Sequence, residues 1–373
     1  MLLAAALTAL PLLTACGAAP EEDAEAGAGT AATATSLADF GDMDALVEAA
    51  EAEGRLNVIA LPHDWANYGE LIARFQELYD IEVDEEDPSA SSAEELEAIR
   101  SRRGQDRAPD VVDIGASFAF GAAEEGLFAP YRVRGWDDIP DNQKDADGLW
   151  FHDYGGFVSI GCDAATVGTC PRTFEDLRKP EYRNMVALNG NPTMSGSAIA
   201  AVQAAAQANG GSLDDVQPGI DFFAELREEG NFIPVEATPA TIEKGETPIT
   251  IDWDYLNAGY ADQLDGSGVE WTTVVPTDGV YAQYYVQAIN KDAPNPAAAR
   301  LWMEFLYGEE GQNLWLKGYA RPVLLPAMER DGTADAEFLA KLPPVTVEPE
   351  FPTPEQLEAA RDTVNENWER ALS

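Results

Sequence analysis

Two short stretches of this chain set carboxylates beside aromatic rings. One is His63-Asp64-Trp65-Ala66-Asn67-Tyr68, and the other is Asp252-Trp253-Asp254-Tyr255. A ring face attracts an ammonium by about 0.5–2 kcal/mol, and a carboxylate neutralises it, so both stretches suit an organic cation. A plainer role competes in each: Asp64 and Asp254 as helix caps, Trp65 and Trp253 as core packing. Tyr281, Gln283, Tyr284 and Tyr285 form a third stretch, of phenols. The fourth, Asn191-Pro192-Thr193-Met194-Ser195-Gly196-Ser197, places Thr193 and Ser195 at a helix mouth. Backbone N–H groups there favour an anion, although capping alone would account for either hydroxyl. Ser91 and Ser117, with Ser89, Ser92 and Phe118, are further strand-end candidates. Acids with aromatics argue for a cation and the helix mouth for an anion; a zwitterion would use both. The expected cation box is Asp64, Trp65, Trp253, Asp254 and Tyr284, with Tyr68 and Tyr281 as further contacts.

Other chemistries find little support. Gly115-Ala116-Ser117-Phe118-Ala119 lacks the final Gly of a nucleophile elbow. The only histidines, His63 and His152, stand apart from any serine motif, and no Cys/His spacing suits zinc. No catalytic constellation is recognisable, so a binding protein without cofactor is expected rather than a hydrolase. The adjacent pair Tyr284-Tyr285 resembles the tyrosines of iron-binding proteins. In a strand, however, neighbours face opposite ways and could not grip one ion. A formal net charge of −44 excludes nucleic acid as a partner, because phosphate binding needs a basic face.

The elements that must carry these residues read as α/β. A helix at 44–53 is stopped by Gly54, and 56–61 is a strand. Apolar residues from Tyr68 to Tyr79 recur at helical spacing, 81–83 is a second strand, and Ser92 with Glu95 reads as a capping box. Val111–Ile114 is a third strand, which implies right-handed parallel crossovers. Val186–Leu188, an Ala-rich helix to Asn209, a helix through Phe222 and Leu226, and the strand Pro248–Ile251 repeat the style. Val280–Ile289 reads as a strand, and Asn295-Pro296 opens a helix. At 373 residues two domains are expected.

Export is written at the start. Leu2–Ala15 is apolar, too short to span a bilayer, and ends at Ala15-Cys16. That junction resembles a bacterial lipobox, which implies cleavage before Cys16 and a lipid on its sulfur. Residues 1–15 are then a signal peptide and 16–40 an anchor with a flexible linker. In an oxidising compartment Cys162 and Cys170 should be disulfide-bonded.

Later segments resemble family 1 extracellular solute-binding proteins, the receptors of bacterial ABC importers. They are Phe305-Leu306-Tyr307-Gly308-Glu309-Glu310-Gly311-Gln312, Gly318-Tyr319-Ala320-Arg321-Pro322-Val323, Pro109–Asp113, Gly126–Pro130 and Thr173–Leu177. The resemblance implies a type II periplasmic-binding-protein-like fold, two α/β lobes joined by crossing hinge strands. Lobe one would hold 41–157 and 284–373, and lobe two 158–283. A monomer is expected, held on the outer face of the membrane by the lipid on Cys16. Such a protein would bind a small polar solute, with a polyamine-like amine preferred over iron or an aminophosphonate, and pass it to an ABC permease.

Overall fold

The computed structural model describes residues 31–345 and 350–373. Cys16 and the signal segment lie outside the described residues. The first half contains α1 (Met43–Glu53), β1 (Arg55–Ile59), α2 (Tyr68–Tyr79), β2 (Glu82–Glu86), α3 (Ser92–Ser101), β3 (Val111–Gly115), α4 (Ala116–Glu124) and β4 (Phe128–Ala129). The long strand β5 (Phe151–Asp163) then leads into the second half. There follow β6 (Val186–Leu188), α5 (Gly196–Ala208), α6 (Gln217–Glu229), β7 (Phe232–Glu236), β8 (Ile249–Trp253), α7 (Asp254–Gln263) and β9 (Trp271–Val274). The chain returns on β10 (Ala282–Asn290) and continues through α8 (Pro296–Leu306), α9 (Glu309–Lys317), β11 (Arg321–Pro322) and a last helix, α10 (Pro354–Ala371).

β5 runs through both halves, and all 13 of its residues are buried. Its first part pairs antiparallel with β10, and its second part pairs with β8 and β9. A strand buried on both faces has no polar alternation, which matches the run Phe157-Val158-Ser159-Ile160-Gly161-Cys162. The two expected crossing strands are therefore present, and the sheet order β3-β10-β5-β8-β6-β7 runs through both halves. Cys162, near the end of β5, forms the expected disulfide with Cys170 beyond it.

The early strands differ from simple crossovers in one respect. β1 and β2 pair in parallel, but β3 pairs antiparallel with β10 rather than with β1. Buried Asp110 spans that junction. Its carboxyl accepts from the backbone N–H of Asn57 (2.7 Å), the backbone N–H of Asn295 (2.7 Å) and the Asn295 side chain (2.9 Å). Asn295 thus serves Asp110 and does not cap α8 with its side chain. The capping box of α3 also shifts by one residue: Ser91 is the N-cap, with Glu94 as its partner. That frees Ser92 to accept from Gly115 N–H (3.0 Å) and Glu95 to accept from Asp113 N–H (3.1 Å).

Two expectations about the ends need correction. Residues 31–39 are not a flexible linker: Ala31 and Ala34 are buried, and the backbone carbonyls of Ala32 and Ala34 accept from buried Arg300. A guanidinium removed from water must find acceptors, and these carbonyls supply them. The tail also does not belong to one half. α10 lays Arg361 over the Phe118 ring of α4, while Trp368 packs edge-on against Phe223 of α6 at 5.7 Å.

Burial pushes Asp110 up to about 7, against the downward pull of its hydrogen bonds from Asn57 and Asn295, and Asp252 likewise to about 7. A carboxyl whose folded pKa exceeds its unfolded value of about 3.9 stabilises the fold below that value and loses the contribution as pH rises through 7. Melting curves should therefore show a higher Tm at pH 5.5 than at pH 8, by the equivalent of about 1–3 kcal/mol. A Tm that climbs across this interval would contradict the assignment.

Candidate functional site

A cavity of about 460 Å³ lies between the halves. The first half contributes Asp64 and Trp65 after β1, the Ser91–Glu95 turn that opens α3, and Asp113 on β3. The second contributes Asn189 to Gly196 after β6, Glu236 at the end of β7, and Leu256 and Tyr260 on α7. Nearly all of these sit at the carboxyl ends of strands, where open α/β sheets bind ligands. The halves touch at two glycines: a Cβ on Gly115 would lie 2.7 Å from the Gly196 Cα. Only residues without a side chain allow that approach.

The floor is aromatic. Tyr285 of β10 stacks on Tyr154 of β5 at 5.7 Å, and half-buried Trp65 meets Tyr285 edge-on at 5.6 Å. Trp65 donates its indole N–H to the Tyr154 hydroxyl (2.7 Å), which in turn donates to Asp113 (2.7 Å). One ring that contacts solvent is thereby fixed through a buried phenol to a buried acid. On the other side Asn189 donates to Asp252 (2.8 Å), as does the Tyr260 hydroxyl (3.3 Å).

The walls are acidic. Asp64, Glu94 and Glu236 are exposed, Glu95 and Asp113 are buried, and no Lys or Arg lines the cavity. Bonds from the backbone and hydroxyl of Ser91 hold the Glu94 carboxyl below its usual range. Burial and then the Asp113 charge drive Glu95 well above it. Burial raises the Tyr260 hydroxyl first, followed by the charges of Asp252, Asp64 and Glu236. Asp64 and Glu236, from opposite halves, thus act on one hydroxyl.

The structure divides the residues nominated from sequence. Asp64, Trp65, Ser91 and Ser195 line the cavity. Ser195 also caps α5, accepting from Ala198 N–H. Thr193 folds back on Asn191. Tyr68 is fully buried and donates to Asp113, while Ser117 and Tyr281 are buried within the halves. The cation box does not assemble. Asp254 is buried, accepts from Phe157 N–H (2.9 Å) and pairs with Arg321 at 2.6 Å. Its charge is already answered. Gly156 makes room for it, since a Cβ there would stand 2.2 Å from the Asp254 carboxyl. Trp253 is buried and stacks on Tyr255. Tyr284 points away from the cleft, towards His152 and Phe351, while Tyr285 faces it; alternation separates the pair as expected.

Glu95, Asp113, Glu236 and Tyr260 were missed. Asp113 had a signal, a lone acid in the apolar run Val111-Val112-Asp113-Ile114. Glu236 had little, because Pro234 inside Phe232–Glu236 argues against a strand.

Residues 106–341, more than half of the chain, match the family model described as bacterial extracellular solute-binding protein. Iron uptake protein A2 of Synechocystis is 23% identical over 272 residues, covering 69% of this chain and 77% of that protein. The periplasmic binding protein AfuA of Actinobacillus pleuropneumoniae, solved with exogenous fructose-6-phosphate bound, superposes with a TM-score of 0.68 at 20% identity over 86% of this chain and 98% of that one. A putative spermidine/putrescine ABC transporter protein of Listeria monocytogenes gives 0.61 at 14% identity, over 85% and 99%. These structures share the type II fold. The chain belongs to the bacterial extracellular solute-binding proteins.

The glycine contact gives a test of closure. Gly196→Ala would put a methyl 2.9 Å from the Gly115 Cα, so the halves must separate. Small-angle scattering should show a larger radius of gyration for the variant with a nearly unchanged Tm. An identical radius would mean that the contact does not limit closure.

Proposed function

We propose that this solute-binding protein captures a small organic cation between its halves and delivers it to the membrane permease of an ABC importer. The observation that carries the reading is the acidic cleft without a basic residue, with Asp64 and Glu236 lining it from opposite halves and both acting on the Tyr260 hydroxyl. Like charges brought together repel, and a cation between them turns that repulsion into attraction. Closure would then be favoured by contacts that exist only when ligand bridges the halves. The face of Trp65 adds a ring for the ammonium. A sugar phosphate would meet five carboxyl groups and no Lys or Arg. For a ferric ion, Tyr284 is turned away, and no cluster of three or more His, Cys, Asp or Glu side chains suited to a metal occurs among the described residues. An aminophosphonate or amino acid would add an anionic end at the mouths of α3 and α5, and this zwitterionic variant of the reading is kept.

Titration calorimetry with putrescine, spermidine, 2-aminoethylphosphonate, fructose 6-phosphate and ferric citrate discriminates these ligands. An amine should bind. Asp64→Asn and Glu236→Gln should each weaken it by about 2 kcal/mol, roughly thirtyfold. Binding of only fructose 6-phosphate or ferric citrate, unaffected by either substitution, would reject the cationic ligand and leave the family untouched.

We also propose that Cys16 carries a lipid that holds the protein on the outer face of the membrane. Wild type should sediment with membranes, and Cys16→Ala should remain soluble or unprocessed. Equal partitioning of the two would refute the anchor.

A further inference from the structure

We infer that a second cavity, behind the crossing strands, is a ligand site of its own, and that it takes a small neutral aromatic molecule carrying a hydroxyl group, a phenol in chemical class. The site is separate from the cleft and does not rest on the cationic-ligand reading.

This cavity, of about 280 Å³, lies on the far side of β10 from the cleft. Tyr285 faces the cleft, and its neighbour Tyr284 faces the second space. The start of β5, the strand β10 and the start of α10 all border it, so it sits against the elements that link the halves. Its volume is near the lower end for small-molecule pockets, about 300–1,000 Å³. The walls are rings. Trp150, Tyr284 and Phe351 line it, with Tyr284 and Phe351 tilted together at 5.7 Å.

Two polar groups in these walls are open. His152 is only 9% exposed, and its Nδ1 lies 2.8 Å from the Tyr285 carbonyl. A carbonyl can only accept, so Nδ1 carries the proton and Nε2 keeps a lone pair. Burial lowers the imidazole to about 4, against the pull of the Tyr285 and Tyr284 carbonyls, so the ring is neutral near neutral pH. Nε2 has no hydrogen-bond partner among the described residues, yet it is not sealed from solvent as the unpartnered polar atoms of the core are. The same is true of the indole N–H of Trp150, whose ring meets His152 edge-on at 5.7 Å. The cavity is where both residues reach solvent. Polar groups in so buried a place are normally paired. An open acceptor beside an open donor calls for one group that donates and accepts, which a hydroxyl does.

Charge in the lining is already answered. The Lys144 ammonium donates to the carbonyls of Trp136 and Ile139, both at 2.8 Å, and lies 3.4 Å from Asp141. The Asp145 carboxylate accepts from the N–H groups of Asp147 (2.9 Å) and Leu149 (3.1 Å). An ionic ligand would lose its hydration here without gaining a free counter-charge. A neutral ring with one hydroxyl meets no such cost.

The chain has two histidines and eight tryptophans, so nitrogen NMR of the full chain with labelled His and Trp can follow each ring. Phenol is the probe, and toluene, of like size without the hydroxyl, is the control. Phenol should move the His152 Nε2 resonance upfield, as accepting a hydrogen bond does, and shift the Trp150 indole signal with it. Half-saturation should fall at about 1 mM, with toluene at least about tenfold weaker. His63, and the Trp65 indole in the cleft, should keep their positions. Phe351→Ala removes a ring that is 39% exposed, so folding is not at stake. It should raise the half-saturating phenol concentration about threefold to tenfold. An unmoved His152 at about 10 mM phenol overturns the site, and so does equal binding of phenol and toluene. A response at Trp65 without one at Trp150 would put the phenol in the cleft and overturn it as well.

Discussion

Thirteen consecutive buried residues in one strand are the constraint from which the rest follows. β5 cannot slip by one residue without exchanging its two faces, because its first part is locked to β10 and its second to β8 and β9. Tyr154 enters the floor of the cleft from this strand. Gly156 and Phe157, two and three residues on, receive the Asp254 carboxyl, whose other oxygen holds Arg321. The aromatic floor, the ion pair beside the hinge and the start of the second half are consequently tied to a single register.

That coupling explains why the acids of this protein fall into two kinds. Asp254 and Asp110 are buried and answered, one by a guanidinium and the other by backbone and side-chain N–H groups. They hold strands and helices in place. Asp64, Glu94 and Glu236 are exposed and meet no cation in the cavity they line. Asp113 lies between the kinds, buried as the first are and incompletely partnered as the cleft is. A strongly acidic composition, taken whole, says nothing about this division; the partners of each carboxyl do.

What the sequence made legible follows the same line. Periodicity and caps located the helices that open with Tyr68 and Pro296, and a strand-like run rich in tyrosine located β10, while β5 was expected only as one of the crossing strands that the family resemblance implies. The loop 63–68 was readable as a cleft loop because it follows a strand. Asp252-Trp253-Asp254-Tyr255 has the same local pattern and a different fate. Its neighbours in space, Arg321 and Phe157, come from residues far away in the chain, so no local reading could assign its charge. Glu236 was hidden by a proline in a short, exposed strand. The packing of residues 31–36 was hidden because alanines and threonines gain their place from Arg300, more than 260 residues later.

α10 has a consequence of a different kind. It grips α4 through Arg361 and α6 through Trp368, so it lies across the very joint that must move when solute enters or leaves. Any rotation of the halves has to be absorbed along its length, by sliding at one end or bending between them. The helix is therefore a built-in strain gauge. The indole of Trp368, lodged between Phe223 and Phe232, is an intrinsic fluorophore whose emission would register the position of a cleft it does not touch.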